Sequence, residues 1–448
     1  MSDSDYLDNA LKSLDNINLA RVAGRLTRVN GMLLEFVGCR LAIGQRCQVE
    51  TRQGQLIDAQ VVGFQLDVTF LMLFKPTTDL MAGARVLPAE KDPSLQVGDG
   101  WLGRVVNGLG EPIDGRGKLY GDTPLLQPLL PIHPLTRRAI DTPLDTGIQS
   151  INGLLTMGKG QRIGLMAGSG VGKSVLLGMI TRCTAADVVV VGLIGERGRE
   201  IREFIENALQ AEGMAKSVVV AAPANESPLM RINATEICHA IATYYRDKGQ
   251  DVLLLVDSLT RYAMAQREIA LSLGEPPATK RYPPTAFAAI PMLVESAGNS
   301  SSSGTMTAIY TVLAEGDDQQ DPIVDCARAV LDGHIVLSRK LAEAGQYPAI
   351  DISQSISRCM NQVTSPEHQQ AARRVKQLYA DYLSIQPLIP LGGYVAGASA
   401  SFDCAVNLHP AIQRLLQQEI VHHVSLPEAM SAVMAINAEA CRAAPELS

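Results

Sequence analysis

The sequence has few aromatic residues and no paired cysteine motif. Only 4% of its 448 residues are aromatic and one is tryptophan, which argues against a surface that stacks the bases of single-stranded nucleic acid. None of the eight cysteines forms a C-x-x-C pair or a common zinc spacing. We therefore expect buried, reduced thiols of a cytosolic protein rather than disulfides or a zinc site.

Long apolar runs and blocks of basic residues are also missing. No run of about eighteen uncharged apolar residues occurs, which argues against a membrane span. The acidic N-terminus, residues 1–5, lacks the basic-then-apolar order of a signal peptide. The formal net charge is −7 and the pI about 5.6, so the chain is a poor candidate for a protein that coats nucleic acid. The composition, 46% hydrophobic and 19% charged, is that of a soluble globular protein.

The N-terminal part of the chain contains two kinds of pattern. Residues 3–16 carry leucines at positions 7, 11 and 14, a spacing that predicts a short amphipathic helix. This helix either packs on its own domain or docks a partner. Residues 21–92 contain short alternating or β-branched runs broken by glycines at about ten-residue spacing, which predicts a small β-barrel.

Strands and helices alternate from about residue 160 onward. Short apolar runs bounded by turn residues lie at 162–167, 187–194, 217–222, 252–256 and 307–313. Because amphipathic helical patterns separate these runs, we predict an α/β fold with a mostly parallel sheet covered on both sides. After residue 366 the strand patterns stop, and we predict helices over 369–383, 411–420 and 427–442. The predicted segments are a partner-binding helix (1–20), a β-barrel (21–92), a nucleotide-binding domain (93–365) and a helical domain (366–448).

The segment 167–174 reads Ala-Gly-Ser-Gly-Val-Gly-Lys-Ser and lies between a predicted strand and a predicted helix. Such an order is typical of a phosphate-binding loop, because glycines let its backbone N–H groups wrap phosphate oxygens. The lysine of the motif contacts the β/γ-phosphates and its serine hydroxyl binds Mg²⁺. The predicted nucleotide-binding residues are Gly168, Ser169, Gly170, Val171, Gly172, Lys173, Ser174 and Val175.

Two predicted strands are followed by an acidic residue. Asp257 ends the run 252–256, so its carboxylate is expected at the carboxyl edge of the sheet, where it can hold the Mg²⁺ shell. Glu196 follows the run 187–194 and is expected at the same edge. It either polarises the water that attacks the γ-phosphate or stabilises a helix N-terminus as a first-turn acid. The residues alone leave both roles open.

Longer motifs occupy residues 195–200, 257–268 and 348–358, and shorter ones residues 274–280 and 315–322. Together they resemble the rotary ATPase α/β superfamily, and within it most closely the flagellum-specific ATPases of the bacterial type III export apparatus. The resemblance covers essentially the whole chain. It implies an N-terminal β-barrel, a central RecA-like P-loop domain and a C-terminal helical domain.

The resemblance also implies roles for single residues. Glu196 matches the catalytic glutamate of the family, and Arg197 and Arg261 match arginines that approach the γ-phosphate. Tyr347 matches an aromatic residue that stacks on adenine, and Arg358 matches an arginine finger that reaches into a neighbouring subunit. Without the resemblance, Arg261 would be expected in a surface ion pair and Tyr347 in the core.

As a member of this family the chain would be an Mg²⁺-dependent ATPase that forms a homo-hexameric ring and promotes the export, unfolding or chaperone release of flagellar proteins. The implied ligands are ATP, ADP and Mg²⁺. The implied partners are a flagellar stator-like regulator bound through the N-terminal helix, a central-stalk-like protein in the ring pore, export-gate membrane proteins, and export chaperones with their substrates. No sequence-specific nucleic acid is implied. The implied location is the cytoplasm, peripherally at the inner membrane of the flagellar base.

Three alternatives stay open. A virulence secretion ATPase is the nearest one, and genetic context would separate it. A non-catalytic nucleotide-binding subunit of a rotary ATPase would lack the catalytic glutamate, so Glu196 argues against it. An RNA-translocating ATPase is disfavoured by the acidic charge and the few aromatic residues. The chain departs from the family pattern at Arg281, where relatives often have Gly, and at Ser296, where they often have Arg.

Overall fold

The structure is a computed structural model that describes residues 22–89, 95–125, 131–278, 282–301, 303–313 and 321–443. By its contacts the chain divides into two compact units. The first is Met1–Ser94 with Ser272–Gly274, and the second is the remaining chain. The predicted helix over residues 3–16 and the departure at Arg281 lie outside the described residues.

The first unit contains a closed barrel of six antiparallel strands in the order β1-β2-β5-β4-β3-β6. The strands are β1 (Gly24–Asn30), β2 (Leu33–Val37), β3 (Arg46–Glu50), β4 (Leu56–Gln65), β5 (Val68–Leu73) and β6 (Arg85–Pro88). Inward-facing side chains such as Phe36, Val49 and Leu71 form its core. Closure leaves no unpaired sheet edge, and the predicted barrel is confirmed.

The second unit is built on an eight-stranded sheet. The strands that follow the barrel are β7 (Gln96–Val97), β8 (Val105–Val106), β9 (Thr123–Pro124), β10 (Pro143–Leu144), β11 (Met157–Gly158), β12 (Arg162–Ala167), β13 (Val188–Ile194), β14 (Ser217–Ala222), β15 (Asp251–Asp257), β16 (Thr305–Leu313), β17 (Gly333–Leu337) and β18 (Ile350–Ser357). The large sheet has the order β18-β17-β12-β16-β15-β13-β14-β8. All its neighbours are parallel except β17 and β18, which are antiparallel.

Helices connect these strands. The α-helices before residue 366 are Gln149–Leu154, Lys173–Cys183, Gly198–Glu203, Gln210–Ala215, Pro228–Asp247, Leu259–Ser272, Pro284–Ser296, Pro322–Val330, Arg339–Glu343 and Met360–Val363. A π-helical turn, Phe204–Leu209, joins two of them, and short 3₁₀ turns lie at Asp99–Trp101, Pro134–Thr136 and Ile389–Leu391.

Both faces of the sheet are buried, as the apolar strands predict. On one face, the helix Lys173–Cys183 and the C-terminal helices share a hydrophobic core with the strands. The other face packs against the helix Pro228–Asp247. Gly192 of β13 permits this approach, because a Cβ atom there would lie 2.7 Å from Sγ of Cys238. The predicted α/β architecture is confirmed.

The C-terminal region is helical, as predicted, with helices Pro366–Ile385, Ala400–Leu416 and Leu426–Ala443. The predicted bounds of the middle helix, 411–420, are wrong. The observed helix begins earlier and contains Pro410. Proline disfavours helix interiors, so the sequence pattern places the start of the helix after this residue.

All eight cysteines are free, so the expectation of reduced thiols agrees with the structure. The expectation that they are all buried is wrong for four of them, which are half-buried: Cys39, Cys183, Cys326 and Cys441. Within the described ranges, no helix has both the length and the apolar character needed to cross a membrane.

Candidate active site

The glycine-rich loop 168–172 connects the central strand β12 to the helix Lys173–Cys183. Gly170 and Gly172 have φ angles of +78° and +88°, a region that residues with a Cβ atom rarely adopt. Gly172 immediately precedes the helix, and no side chain caps it there. The N–H groups of the first helical turn are therefore available to an anion.

Lys173, Asp257 and Glu196 meet at the carboxyl edge of the sheet. The Nζ atom of Lys173 lies 2.6 Å from Oδ1 of Asp257 and 3.5 Å from Oε1 of Glu196. The two acids come together because β13 and β15 are neighbours, with Leu193 paired to Asp257. Although burial disfavours the charge of Lys173, the two carboxylates raise its pKa above the ordinary value.

The pKa of Glu196 lies close to neutral pH. Its side chain is 14% exposed, and its Oε1 atom accepts no hydrogen bond in the described part of the chain. Burial and the negative charge of Asp257 raise the pKa of Glu196 to about 7, and the positive charge of Lys173 opposes this rise. A carboxyl group with such a pKa suits proton transfer near pH 7.

Two of the three predicted site arginines, Arg197 and Arg261, have different environments. Arg197 precedes the helix Gly198–Glu203, is 83% exposed, and pairs with Glu200 at 3.3 Å. Arg261 packs against Gly195, where an added Cβ atom would fall 2.8 Å from Cγ of the arginine. The buried Nε of Arg261 has no hydrogen-bond partner among the described residues. Arg261 thus lies directly beside the residue that precedes Glu196.

Tyr347 borders a cavity next to the loop. The cavity has a volume of about 340 Å³ and is lined by Gly170, Val171, Gly172, Val175, Leu176, Met179, Leu337, Tyr347, Pro348, Ala349, Gln418 and Ile420. The Tyr347 ring would lie 3.5 Å from a Cβ atom on Gly172. Because Tyr347 is 48% exposed, it is not a core tyrosine. A flat ring on an apolar cavity beside a phosphate loop suits a nucleobase.

Arg358 lies away from this group. Strand β18 runs antiparallel to β17, so Ile350 pairs with Leu337 near the loop, whereas Ser357 pairs with Gly333 at the opposite end of β17. Four residue steps along a strand span about 13 Å. Arg358 is exposed, and its guanidinium donates a hydrogen bond to the carbonyl of Arg328 at 3.2 Å. It cannot contact the loop of its own chain in this position.

Gln418 is a cavity residue that the sequence analysis missed. Its backbone N–H donates to the Tyr347 carbonyl at 3.0 Å. Its side-chain amide donates to the carbonyls of Gly147 and His422, at 2.8 and 2.6 Å, and accepts from the N–H of Gln149 at 2.7 Å. No sequence signal marks this glutamine, because Gly147 and Gln149 lie 271 and 269 positions before it.

Thr311 is a second residue that was missed. It lies on β16, and its Oγ1 donates a hydrogen bond to Oδ1 of Asp257 at 2.6 Å. A hydroxyl in a buried strand needs a partner, which is the one signal the sequence offered. That signal does not name the partner, which lies on the neighbouring strand.

The oxygen donors at the sheet edge fit Mg²⁺. Ser174 is exposed on the first turn of the helix after the loop. The residue before it, Lys173, forms an ion pair with the carboxylate of Asp257. Within the described residues, no group of three or more His, Cys, Asp or Glu side chains could hold a metal ion alone. Mg²⁺ commonly uses one or two protein oxygens together with phosphate oxygens, so this donor set suits a nucleotide-bound metal.

Comparison with known proteins gives two matches to family models. Residues 147–357 match the ATP synthase alpha/beta family, nucleotide-binding domain. Residues 364–435 match the T3SS EscN ATPase C-terminal domain. The first match contains the loop, both acids and Tyr347, and the second covers most of the C-terminal helices.

Whole-chain relatives are similar over nearly the full length. The chain is 54% identical to the flagellum-specific ATP synthase of Pseudomonas aeruginosa, with 91% of each chain covered. It is 49% identical to the flagellum-specific ATP synthase of Salmonella typhimurium, with 95% of this chain and 96% of the relative covered. Among solved structures, the assembled ATPase EscN in complex with its central stalk EscO, from the type III secretion system of enteropathogenic E. coli, matches with a TM-score of 0.84 and 37% identity. This match covers 92% of this chain and 100% of EscN.

Proposed function

Because the chain belongs to the family of flagellum-specific ATP synthases and type III secretion ATPases, we propose that it is an Mg²⁺-dependent ATPase that hydrolyses ATP to ADP and phosphate for the export of flagellar proteins. One observation carries this proposal. The uncapped glycine loop, Lys173, Asp257 and Glu196 converge on one sheet edge, beside the cavity that Tyr347 borders.

Each group has a role in hydrolysis that follows from its position. The loop N–H groups and Lys173 bind the phosphates, and Tyr347 stacks on the base. Ser174 and Asp257 would hold Mg²⁺, which would neutralise phosphate charge during hydrolysis. Glu196 orients the attacking water and accepts its proton, which its pKa of about 7 allows. Because the donors are positioned in advance, they stabilise the charge of the transition state with little reorganisation.

The arginines complete the charge balance around the γ-phosphate. Arg261, which packs against Gly195, and the exposed Arg197 supply cationic groups next to Glu196. Arg358 acts in a neighbouring copy, because β18 carries it to the far end of the sheet from its own loop. A guanidinium is always charged and offers a planar set of donors, which suits the γ-phosphate in its transition state. The active form is therefore a ring, and we propose a homo-hexamer.

The proposed partners follow from the family. EscN is assembled and binds a central stalk, so a central-stalk-like protein is proposed for the ring pore of this chain. A stator-like regulator on residues 1–20, the export gate, and chaperones with their substrates complete the set. The proposed location is the cytoplasm, peripherally at the inner membrane beneath the flagellum.

A virulence secretion ATPase is the second candidate, because EscN matches 92% of this chain. The flagellar assignment is favoured by identities of 54% and 49% to flagellar relatives, against 44% to the type 3 secretion system ATPase of Xanthomonas euvesicatoria and 37% to EscN. Deletion of the gene separates the two, since loss of flagella and motility is expected for the first function and not for the second.

The proposed activity is tested with the purified full chain. ATP hydrolysis should require Mg²⁺, should stop when EDTA is added, and should be lost in Lys173→Ala, because that variant lacks the loop cation. Absence of hydrolysis by the wild-type chain at concentrations where it is assembled would contradict the proposal. So would full activity of Lys173→Ala.

A further inference from the structure

Thr311 occupies a central position in the sheet and has an unusual set of neighbours. It lies on β16, between the strand that leads into the glycine loop and the strand that ends in Asp257. It pairs in register with Leu165 of β12, and on the other side Tyr310 pairs with Val256 of β15. The residue is 1% exposed. A buried hydroxyl costs stability unless it forms a hydrogen bond.

The partner of this hydroxyl is the carboxylate assigned above to the metal site. Oγ1 of Thr311 donates to Oδ1 of Asp257 at 2.6 Å, and Nζ of Lys173 lies 2.6 Å from the same oxygen. An O–H···O⁻ bond of this length is a strong, charge-assisted one. None of the described residues donates a hydrogen bond to Oδ2. The two donors therefore fix the carboxylate by one oxygen and leave the other for a further ligand.

We propose that Thr311 is a positioning residue that keeps Asp257 in its metal-binding orientation once Lys173 has moved to the phosphates. The proposal rests on the nucleotide function given above. In the free chain Lys173 forms ion pairs with the two carboxylates. When nucleotide binds, it contacts the phosphates instead. Asp257 then loses one of its two donors, and Thr311 is the donor that stays in place. Its branched side chain has few rotamers, so the hydroxyl keeps its direction.

If Lys173 binds the phosphates and Thr311 orients Asp257, nucleotide binding should respond differently to the loss of Thr311 in the absence and in the presence of Mg²⁺. Without Mg²⁺ the phosphates are held by the loop and Lys173, and the orientation of Asp257 matters little. With Mg²⁺, Asp257 would help to hold the metal, so its orientation contributes directly to the affinity for nucleotide. Removal of the Thr311 hydroxyl should therefore weaken the effect of Mg²⁺ on binding and spare the Mg²⁺-free affinity. Replacement of a residue that only fills space in β16 would not weaken the effect of Mg²⁺ on binding while sparing the Mg²⁺-free affinity.

The test measures binding of AMP-PNP to the full chain by titration calorimetry, in EDTA and over a series of Mg²⁺ concentrations. Thr311→Val keeps the shape and removes the hydroxyl. We expect an unchanged affinity in EDTA and a rise of about tenfold in the Mg²⁺ concentration that gives half of the full effect, as for the loss of one hydrogen bond to a charged group. Thr311→Ser keeps the hydroxyl and should stay within about twofold of wild type.

Thr307 offers a matched control on the same face of the same strand. It is 1% exposed, and its hydroxyl accepts a hydrogen bond from the N–H of Gly160, away from the acids. Thr307→Val should leave the Mg²⁺ dependence unchanged, and thermal unfolding would show that each variant is folded.

Three outcomes would overturn the proposal. In the first, folded Thr311→Val has the Mg²⁺ dependence of wild type. In the second, Thr311→Ser is as impaired as Thr311→Val, so that packing is what matters. In the third, Thr307→Val causes the same shift. Failure of the proposed function would look different, because the wild-type chain itself would then bind no nucleotide in either condition.

Discussion

Glu196 shows how two neighbours of opposite charge determine the use of a single carboxyl group. Asp257 and burial make the charged form of Glu196 costly, whereas Lys173 stabilises it. In the proposed nucleotide complex Lys173 contacts the phosphates, which would remove a stabilising cation from beside Glu196. A carboxylate with a raised pKa is a stronger base than an exposed one, which is what activation of water requires.

Glu196→Gln should bind ATP normally and hydrolyse it slowly. The amide keeps the size of the side chain and leaves the loop intact, but it cannot accept the proton of the attacking water. We expect turnover to fall about 10²–10⁴-fold, measured as steady-state phosphate release beside calorimetric binding in the same preparation. Lys173→Ala is the control, since it should lose binding itself. Wild-type turnover in Glu196→Gln would rule out the assigned role.

The raised pKa of Glu196 predicts a pH dependence with a defined sign. The base acts in its deprotonated form, and burial together with Asp257 favours the protonated form up to a pH of about 7. The value of kcat/KM, which reports groups of the free enzyme, should therefore fall as the pH drops below about 7, by about tenfold per unit. A profile that stays flat down to pH 5.5 would contradict this prediction.

At the scale of elements, the signals that predicted correctly are local ones. The glycine loop and the apolar strands β12 to β16 carry their pattern within about ten residues, and the structure shows strands at all five predicted runs. β18 was missed because it reads Ile-Asp-Ile-Ser-Gln-Ser-Ile-Ser, a half-polar pattern of an edge strand rather than a buried one. Its antiparallel direction, which places Arg358 at the end of β17 opposite the glycine loop, depends on pairing with β17 and on no local pattern.

The residues that the sequence analysis did not identify were missed for a different physical reason. Thr311 and Gln418 act through partners on other elements, and a hydrogen bond between distant segments leaves no periodic trace in one sequence. The sequence could suggest side-chain roles at the loop because the motif carries its own geometry, and these roles stay predictions. The walls of the cavity could not, because chain folding brings Gln418 to Tyr347 from 71 positions away (418 − 347).

Gln418→Ala should raise the KM for ATP more than it changes kcat. The glutamine ties the Tyr347 carbonyl, the residues before the helix Gln149–Leu154 and the segment after the helix Ala400–Leu416 into one wall of the cavity. Loss of its side-chain bonds, at about 1 kcal/mol for each net bond, should loosen that wall. We expect KM to rise about tenfold, with kcat within about threefold of wild type.

The neighbouring glutamine supplies the matched control for this experiment. Gln417 is exposed, and Gln417→Ala should leave both kinetic constants unchanged. Both variants are compared by initial rates over a range of ATP concentrations. An unchanged KM in Gln418→Ala, or an equal rise in Gln417→Ala, would remove the glutamine from the nucleotide site.

At the scale of the whole molecule, β18 places Tyr347 beside the glycine loop of its own chain and Arg358 away from that loop. The strand starts beside the cavity, where Tyr347 and Pro348 lie, and ends at the amino end of β17. One antiparallel strand thus carries Arg358 along the length of β17, away from the loop. If Arg358 acts as proposed, a single chain has an incomplete site and full activity requires contact between chains.

Arg358→Ala should lose turnover and keep nucleotide binding. Because the guanidinium is proposed to act in a neighbour's site, the affinity of the isolated chain for nucleotide should not change, whereas turnover of the assembled protein should fall about 10³–10⁵-fold. Wild-type specific activity should also rise with protein concentration as light scattering shows assembly. Flat specific activity across that range, or weakened binding like that of Lys173→Ala, would show that the residue acts within its own chain.

Mixing two inactive variants gives the sharpest form of this test. Glu196→Gln keeps Arg358, and Arg358→Ala keeps Glu196, so an interface between the two contains one complete site whenever Arg358→Ala provides the pocket and Glu196→Gln provides the finger. With equal amounts and random assembly, about a quarter of the interfaces meet this condition. Activity should therefore reappear on mixing, to about a quarter of wild type if the sites act independently. Neither variant alone can show this gain, and a mixture that remains as inactive as its components would reject a site shared between chains.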